Sequence, residues 1–101
     1  MRLSNPARRA LPATIRTSLL EAAELRHRQL IELRRTPPER ESVVAAAHRD
    51  TVERILGEVL AALDRLDDGS YGTCRDCGRS IPTQRLLDRP WDARCAECGQ
   101  R

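Results

Sequence analysis

Four cysteines constrain this chain more than any other feature. Cys74, Cys77, Cys95 and Cys98 form the pattern C-x2-C-x17-C-x2-C. Two residues between thiols let one tight turn aim both sulfurs at one ion. Two such turns supply a closed tetrahedron of ligands, the arrangement of structural zinc sites. A glycine follows each pair, Gly78 and Gly99. It lets the backbone turn with positive φ while amides point back at the sulfurs. The spacing favours one Zn2+ over disulfides and over a redox-active C-x-x-C. The rest of the chain does not read as secreted, and no βαβ pattern accompanies the pairs. Four thiolates leave no open coordination position, so the metal reads as structural rather than hydrolytic.

The remainder must fold with little help from aromatic residues. Tyr71 and Trp91 are the only ones in 101 residues, so the core is aliphatic and favours helices over strands. The length suits one small domain, whose thin core gains from metal binding. No stretch approaches the ~18 apolar residues of a membrane span. Residues 1–12 carry Arg2, Arg8 and Arg9 but no apolar segment of a secretory signal, so a cytoplasmic protein is expected.

Residues 1–12, with Pro6 and Pro12, read as a flexible basic arm. From Ala13 to Arg35, Ile15, Leu19, Ala22, Ala23, Leu30 and Leu33 share one face of an amphipathic helix. Arg26 and Gln29 blur that face. Pro37-Pro38 ends the helix. Pro38 suits an early position of the next one, and Glu39 and Glu41 suit its positive end. A second helix is predicted over 39–67, where Val52, Leu56, Val59, Leu63 and Leu66 make an a/d seam. Ala45 and Arg49 continue the register backwards. Gly57 inside it suggests close helix approach or local bending. Gly69 is placed to cap the end in the left-handed conformation. The predicted architecture is mainly α: an antiparallel two-helix coiled-coil hairpin over 13–68, with its turn near 36–38, then a four-cysteine zinc finger over 69–101.

Charge distribution agrees with a hairpin. Net charge is +5 over residues 1–35, −4 over 36–73 and +2 over 74–101. Such opposition favours intramolecular antiparallel pairing, although each exposed pair contributes only about 0–1 kcal/mol. The arm motivates a nucleic-acid-binding alternative. The scarcity of stacking aromatics and the acidic second helix oppose it. His27 and His48 have no matching ligand partners and read as surface residues. No nucleophile-elbow, phosphate-loop or paired-carboxylate motif is present, so a non-enzymatic protein is expected; a monomer is expected as well.

One stretch carries a resemblance. The run Leu63-Asp64-Arg65-Leu66-Asp67-Asp68-Gly69-Ser70-Tyr71-Gly72-Thr73-Cys74, then Cys77-Gly78, Ile81, Arg85-Leu86, Arg89-Pro90 and Cys95-x-x-Cys98, resembles the DksA/TraR zinc-finger proteins of bacteria, phages and plasmids. The likeness covers about residues 50–99. It implies a transcription regulator that binds RNA polymerase directly, with the hairpin in the secondary channel and the finger on its rim. Such proteins change the lifetime of promoter complexes, often with guanosine tetraphosphate. The resemblance makes Arg34, Arg35, Glu39 and Glu41 the tip contacts, and Arg85 and Arg89 finger contacts. Intradomain pairing with Asp88 or Asp92 is the competing role for those two arginines. Two departures stand out. The family's tip commonly reads D-x-x-D-x-A, whereas residues 33–41 here contain no Asp. The sequence also stops three residues after Cys98, so no C-terminal helix and no alarmone binding are expected. The altered tip raises one more alternative, a passive paralogue that occupies the channel.

Overall fold

The computed structural model describes residues 6–99, and side chains from residue 13 onward. Two long helices dominate it: α1, Pro6–Leu33, and α2, Val43–Asp68. A short 3-10 turn, Pro38–Arg40, lies between them. After α2 come two short helices, α3 (Thr83–Asp88) and α4 (Ala96–Gly99). An isolated antiparallel bridge joins Thr73 and Ser80. The molecule measures 54 × 29 × 21 Å.

Helix α1 starts at Pro6, so residues 6–12 are helical rather than part of an arm. Proline costs nothing at the first helical position, and Ala7, Arg8, Arg9, Ala10 and Leu11 all favour helix. The rest of the expected arm, residues 1–5, lies outside the described residues. Ile15, Leu19 and Leu30 are buried, and Ala22 and Ala23 pack at their flank.

The start of α2 differs from the prediction. Pro38 opens the 3-10 turn instead of α2, and the helix begins at Val43. The cap is Ser42, whose hydroxyl accepts the Ala45 N–H at 3.0 Å. That satisfies one of the otherwise unpaired first-turn donors. Glu39 and Glu41 therefore do not sit in the first turn of α2. Val52 and Val59 are buried as the seam requires. The fully buried neighbour is Ala62, while Leu63 and Leu66 are half-buried. Gly57 faces solvent, and a Cβ there would meet nothing within 4 Å. Close approach of α1 does not explain it. Gly69 ends the helix with φ 85° as predicted.

Opposite charges meet across the hairpin as expected. Arg16 pairs with Asp67 at 2.9 Å, and Arg34 pairs with Glu53. These contacts tie the two ends of an antiparallel pair. Below them one core runs from the hairpin into the finger. It joins Ile15 and Leu19 of α1, Val59 and Ala62 of α2, and Ile81, Leu86, Cys74, Cys95 and Cys98. Arg26 is held at this junction. Its guanidinium lies 6.0 Å from the centre of the Trp91 ring and donates to the Gln29 side chain at 3.4 Å. The polar break in the α1 pattern thus faces the finger.

Candidate metal centre

Two matching turns build the site. The Gly78 N–H donates to the Cys74 carbonyl at 3.0 Å, and the Gly99 N–H donates to the Cys95 carbonyl at 2.8 Å. Gly78 has φ 77°, as the sequence suggested. Gly99 is not in the left-handed region. A Cβ there would stand 3.0 Å from the movable end of the Arg85 side chain. The first turn is held by the Thr73–Ser80 bridge. There the Cys74 N–H donates to Arg79 at 2.8 Å and the Ile81 N–H donates to Gly72 at 2.7 Å. The second turn leads into α4. The Arg75 N–H donates to the Ala93 carbonyl at 2.9 Å and joins the two halves.

The sulfurs of Cys74, Cys77, Cys95 and Cys98 all lie within 4.8 Å of one another. Cys77 and Cys95 are 3.7 Å apart. A tetrahedron with Zn–S bonds of about 2.3 Å has edges of about 3.8 Å. Cys74, Cys95 and Cys98 are buried and Cys77 is exposed. Backbone N–H groups of Cys95, and then of Cys77 and Asp76, aim at the Cys74 sulfur and lower its pKa to about 6 against burial. The neighbouring Cys95 thiol, with burial and the other two sulfurs, pushes Cys98 up to about 12. Four sulfurs this close share negative charge badly without a divalent cation between them. The donor set therefore fits zinc, which it would hold as a closed structural centre.

The other singled-out residues divide sharply. Arg85 lies 2.8 Å from Asp92, and its Nε–H donates to the Arg94 carbonyl at 3.3 Å. The intradomain alternative is the one realised. Arg89 is exposed and has no ion pair among the described residues. At the tip, Glu41 is held by Arg49 and Arg34 by Glu53. Arg35 lies 3.5 Å from Glu32. Glu39 is exposed and unpaired among the described residues. His27 and His48 are exposed.

The fold also assembles a cleft that sequence reading missed. Between α2 and the finger, about 310 Å³ is lined by Arg54, Arg65, Arg75, Arg85, Arg89 and Arg94. Arg54 and Arg94 are matched by Glu58 at 3.0 Å and Asp76 at 2.7 Å. Arg65 donates to the Trp91 carbonyl at 3.4 Å, and burial lowers its pKa. Arg75 and Arg89 have no carboxylate partner among the described residues. These arginines are spread over some forty positions, so no local charge run betrayed them.

Fold and site together define a four-cysteine zinc finger carried at the base of an antiparallel helical hairpin. Residues 69–101 match the family model for the prokaryotic dksA/traR C4-type zinc finger. An RNA polymerase-binding transcription factor DksA of Caulobacter vibrioides is 36% identical over 53 residues, 52% of this chain and 37% of that protein. An uncharacterized protein of Aquifex aeolicus is 42% identical over 45 residues, 45% of this chain and 31% of that protein. The chain thus spans about a third of the length of these curated relatives. Among solved structures, transcription factor DksA2 from Pseudomonas aeruginosa aligns over 92% of this chain and 78% of its own. Its TM-score is 0.51 and its identity 29%. The RNA polymerase binding protein and transcriptional regulator Dks from Chlamydia trachomatis L2 aligns over 99% of this chain and 91% of its own. There the TM-score is 0.58 at 22% identity, a likeness of fold.

Proposed function

We propose that this protein is a non-enzymatic transcription regulator that binds RNA polymerase directly. Its hairpin enters the secondary channel, its finger rests on the rim, and it changes how promoter complexes form. One observation carries the reading: a dksA/traR-type finger and a long hairpin share one continuous core, from Ile15 and Val59 to Cys74 and Cys98. The finger therefore fixes the direction in which the hairpin points. The alignment with DksA2 over 92% of the chain supports the same arrangement. A site closed by four thiolates supports a scaffolding metal rather than catalysis. On the finger, Arg75 and Arg89, which have no carboxylate partner among the described residues, would meet acidic groups of the polymerase.

The passive alternative has its own support at the tip, where Glu41 is already neutralised by Arg49. In vitro transcription separates the readings. A regulator binds polymerase and shifts initiation on at least one promoter, whereas a passive occupant binds without a shift. Failure to bind polymerase at low salt, together with salt-sensitive binding to duplex DNA, would leave the nucleic-acid reading instead.

A further inference from the structure

The hairpin tip is closed by a chain of charges that no periodicity announces. Arg49 occupies a seam position of α2, where a coiled coil would place an apolar residue. Its Nε and Nη2 each lie 2.9 Å from one oxygen of Glu41, a two-pronged bond. Its Nη1 lies 3.1 Å from Asp50 and 3.5 Å from Glu53. Glu53 in turn holds Arg34, just past the end of α1. The Glu41 side chain is only 8% exposed. Arg49 holds its carboxyl below the usual range.

The position of Glu41 gives this bond leverage. Glu41 is the extended residue between the 3-10 turn and the Ser42 cap, with φ −78° and ψ 129°. Its own N–H donates to the Pro38 carbonyl at 3.2 Å, and the Arg40 N–H donates to Pro37 at 2.9 Å. Gripping Glu41 therefore orients the whole connection between the helices. Glu39 and Arg40 point outward, exposed and without ion pairs among the described residues.

We propose that Arg49 is the positioning residue of the hairpin tip. Its grip on Glu41, linked through Glu53 to Arg34, holds residues 34–42 in one shape and leaves Glu39 and Arg40 as the charges offered to the partner. The mechanical half needs no partner, and the second half rests on the polymerase reading above. Lysine cannot replace the planar fork, because an ammonium is a single-point donor.

The test compares the zinc-loaded wild type with Arg49→Lys and Arg49→Ala. Amide hydrogen exchange is read at Arg40, Glu41 and Ala45, with Leu19 and Val59 as internal references. Both variants should exchange about tenfold faster at the tip and unchanged at the references. Polymerase affinity should stay within about twofold, while the effect on promoter-complex lifetime at saturating protein falls. A tip that exchanges like wild type in both variants overturns the proposal. So does a faster tip with the full effect on transcription. If the wild type does not bind polymerase, the functional reading fails, and the exchange data alone decide whether Arg49 holds the tip.

Discussion

The Tyr71 hydroxyl donates to the carbonyl of Pro90 at 2.6 Å. The bond joins the residues that leave the hairpin to the segment just before Trp91, so it braces the finger across the loop between its cysteine pairs. Tyr71→Phe should lower the unfolding free energy by about 1 kcal/mol, read from urea titration of the zinc-loaded protein. Burial pushes the Tyr71 hydroxyl up to about 12 from 10.0. The unfolded chain then loses this proton first. The tyrosine's contribution should be complete below pH 10 and fade between pH 10 and 12. The phenylalanine variant should lack that part of the pH dependence. Equal stability of the two proteins at pH 8 would count against the brace.

Gly57 stands in the middle of α2 with open space where a Cβ would go. Gly57→Ala should stabilise the protein by about 1 kcal/mol through helix propensity alone. For a domain of this size that is roughly 4–8 °C in Tm. Gly69→Ala should do the opposite, because φ is 85° at the helix cap. A thermal melt of both variants checks the pair, and destabilisation by Gly57→Ala would mean the site is not open.

How much of this could be read beforehand depended on how locally each feature is encoded. The zinc ligands were legible because ligand spacing is a property of single turns. The Val52–Val59 seam and the Gly69 cap were legible for the same reason. The start of α1 was missed because Pro6 reads equally as an arm residue and as a first helical residue. The start of α2 was missed because Pro38 and Glu39 imitate an N-terminus four residues before Ser42 supplies the real cap. Ala62 was overlooked because alanine adds little to a hydrophobic pattern. The Arg49–Glu41 grip and the arginine-lined cleft join residues whose proximity only the folded chain creates.

Zinc should hold more than the finger. Three of the four cysteines belong to the same buried core as Ile15, Leu19, Val59 and Ala62. Chelation should therefore expose Trp91, the only tryptophan, and loosen the hairpin base. The expected signs are a red shift of its emission and faster amide exchange around Leu19. Metal analysis should give about one zinc per chain before treatment. A chelated protein with unchanged emission and melting would show that the core stands without metal.

Arg85 and Arg89 should separate by experiment as they do in space. Arg85→Ala loses the contact with Asp92 and should cost about 1 kcal/mol of stability. Arg89→Ala breaks no ion pair among the described residues and should stay within about 0.5 kcal/mol of wild type. Under the polymerase reading, it is Arg89→Ala that weakens binding several-fold, with the loss shrinking at high salt. A stable Arg85→Ala and an unstable Arg89→Ala would contradict the assignment.

Insertion of the hairpin into RNA polymerase is the step on which the proposed function depends. A photo-crosslinking group placed at Glu39, on the zinc-loaded full chain with polymerase from the source cell, tests it most directly. Crosslinks are expected to polymerase residues that line the secondary channel, with a second group at Arg89 reaching the channel rim. Crosslinks from Glu39 to the outer polymerase surface, or to no polymerase subunit at all, would contradict it.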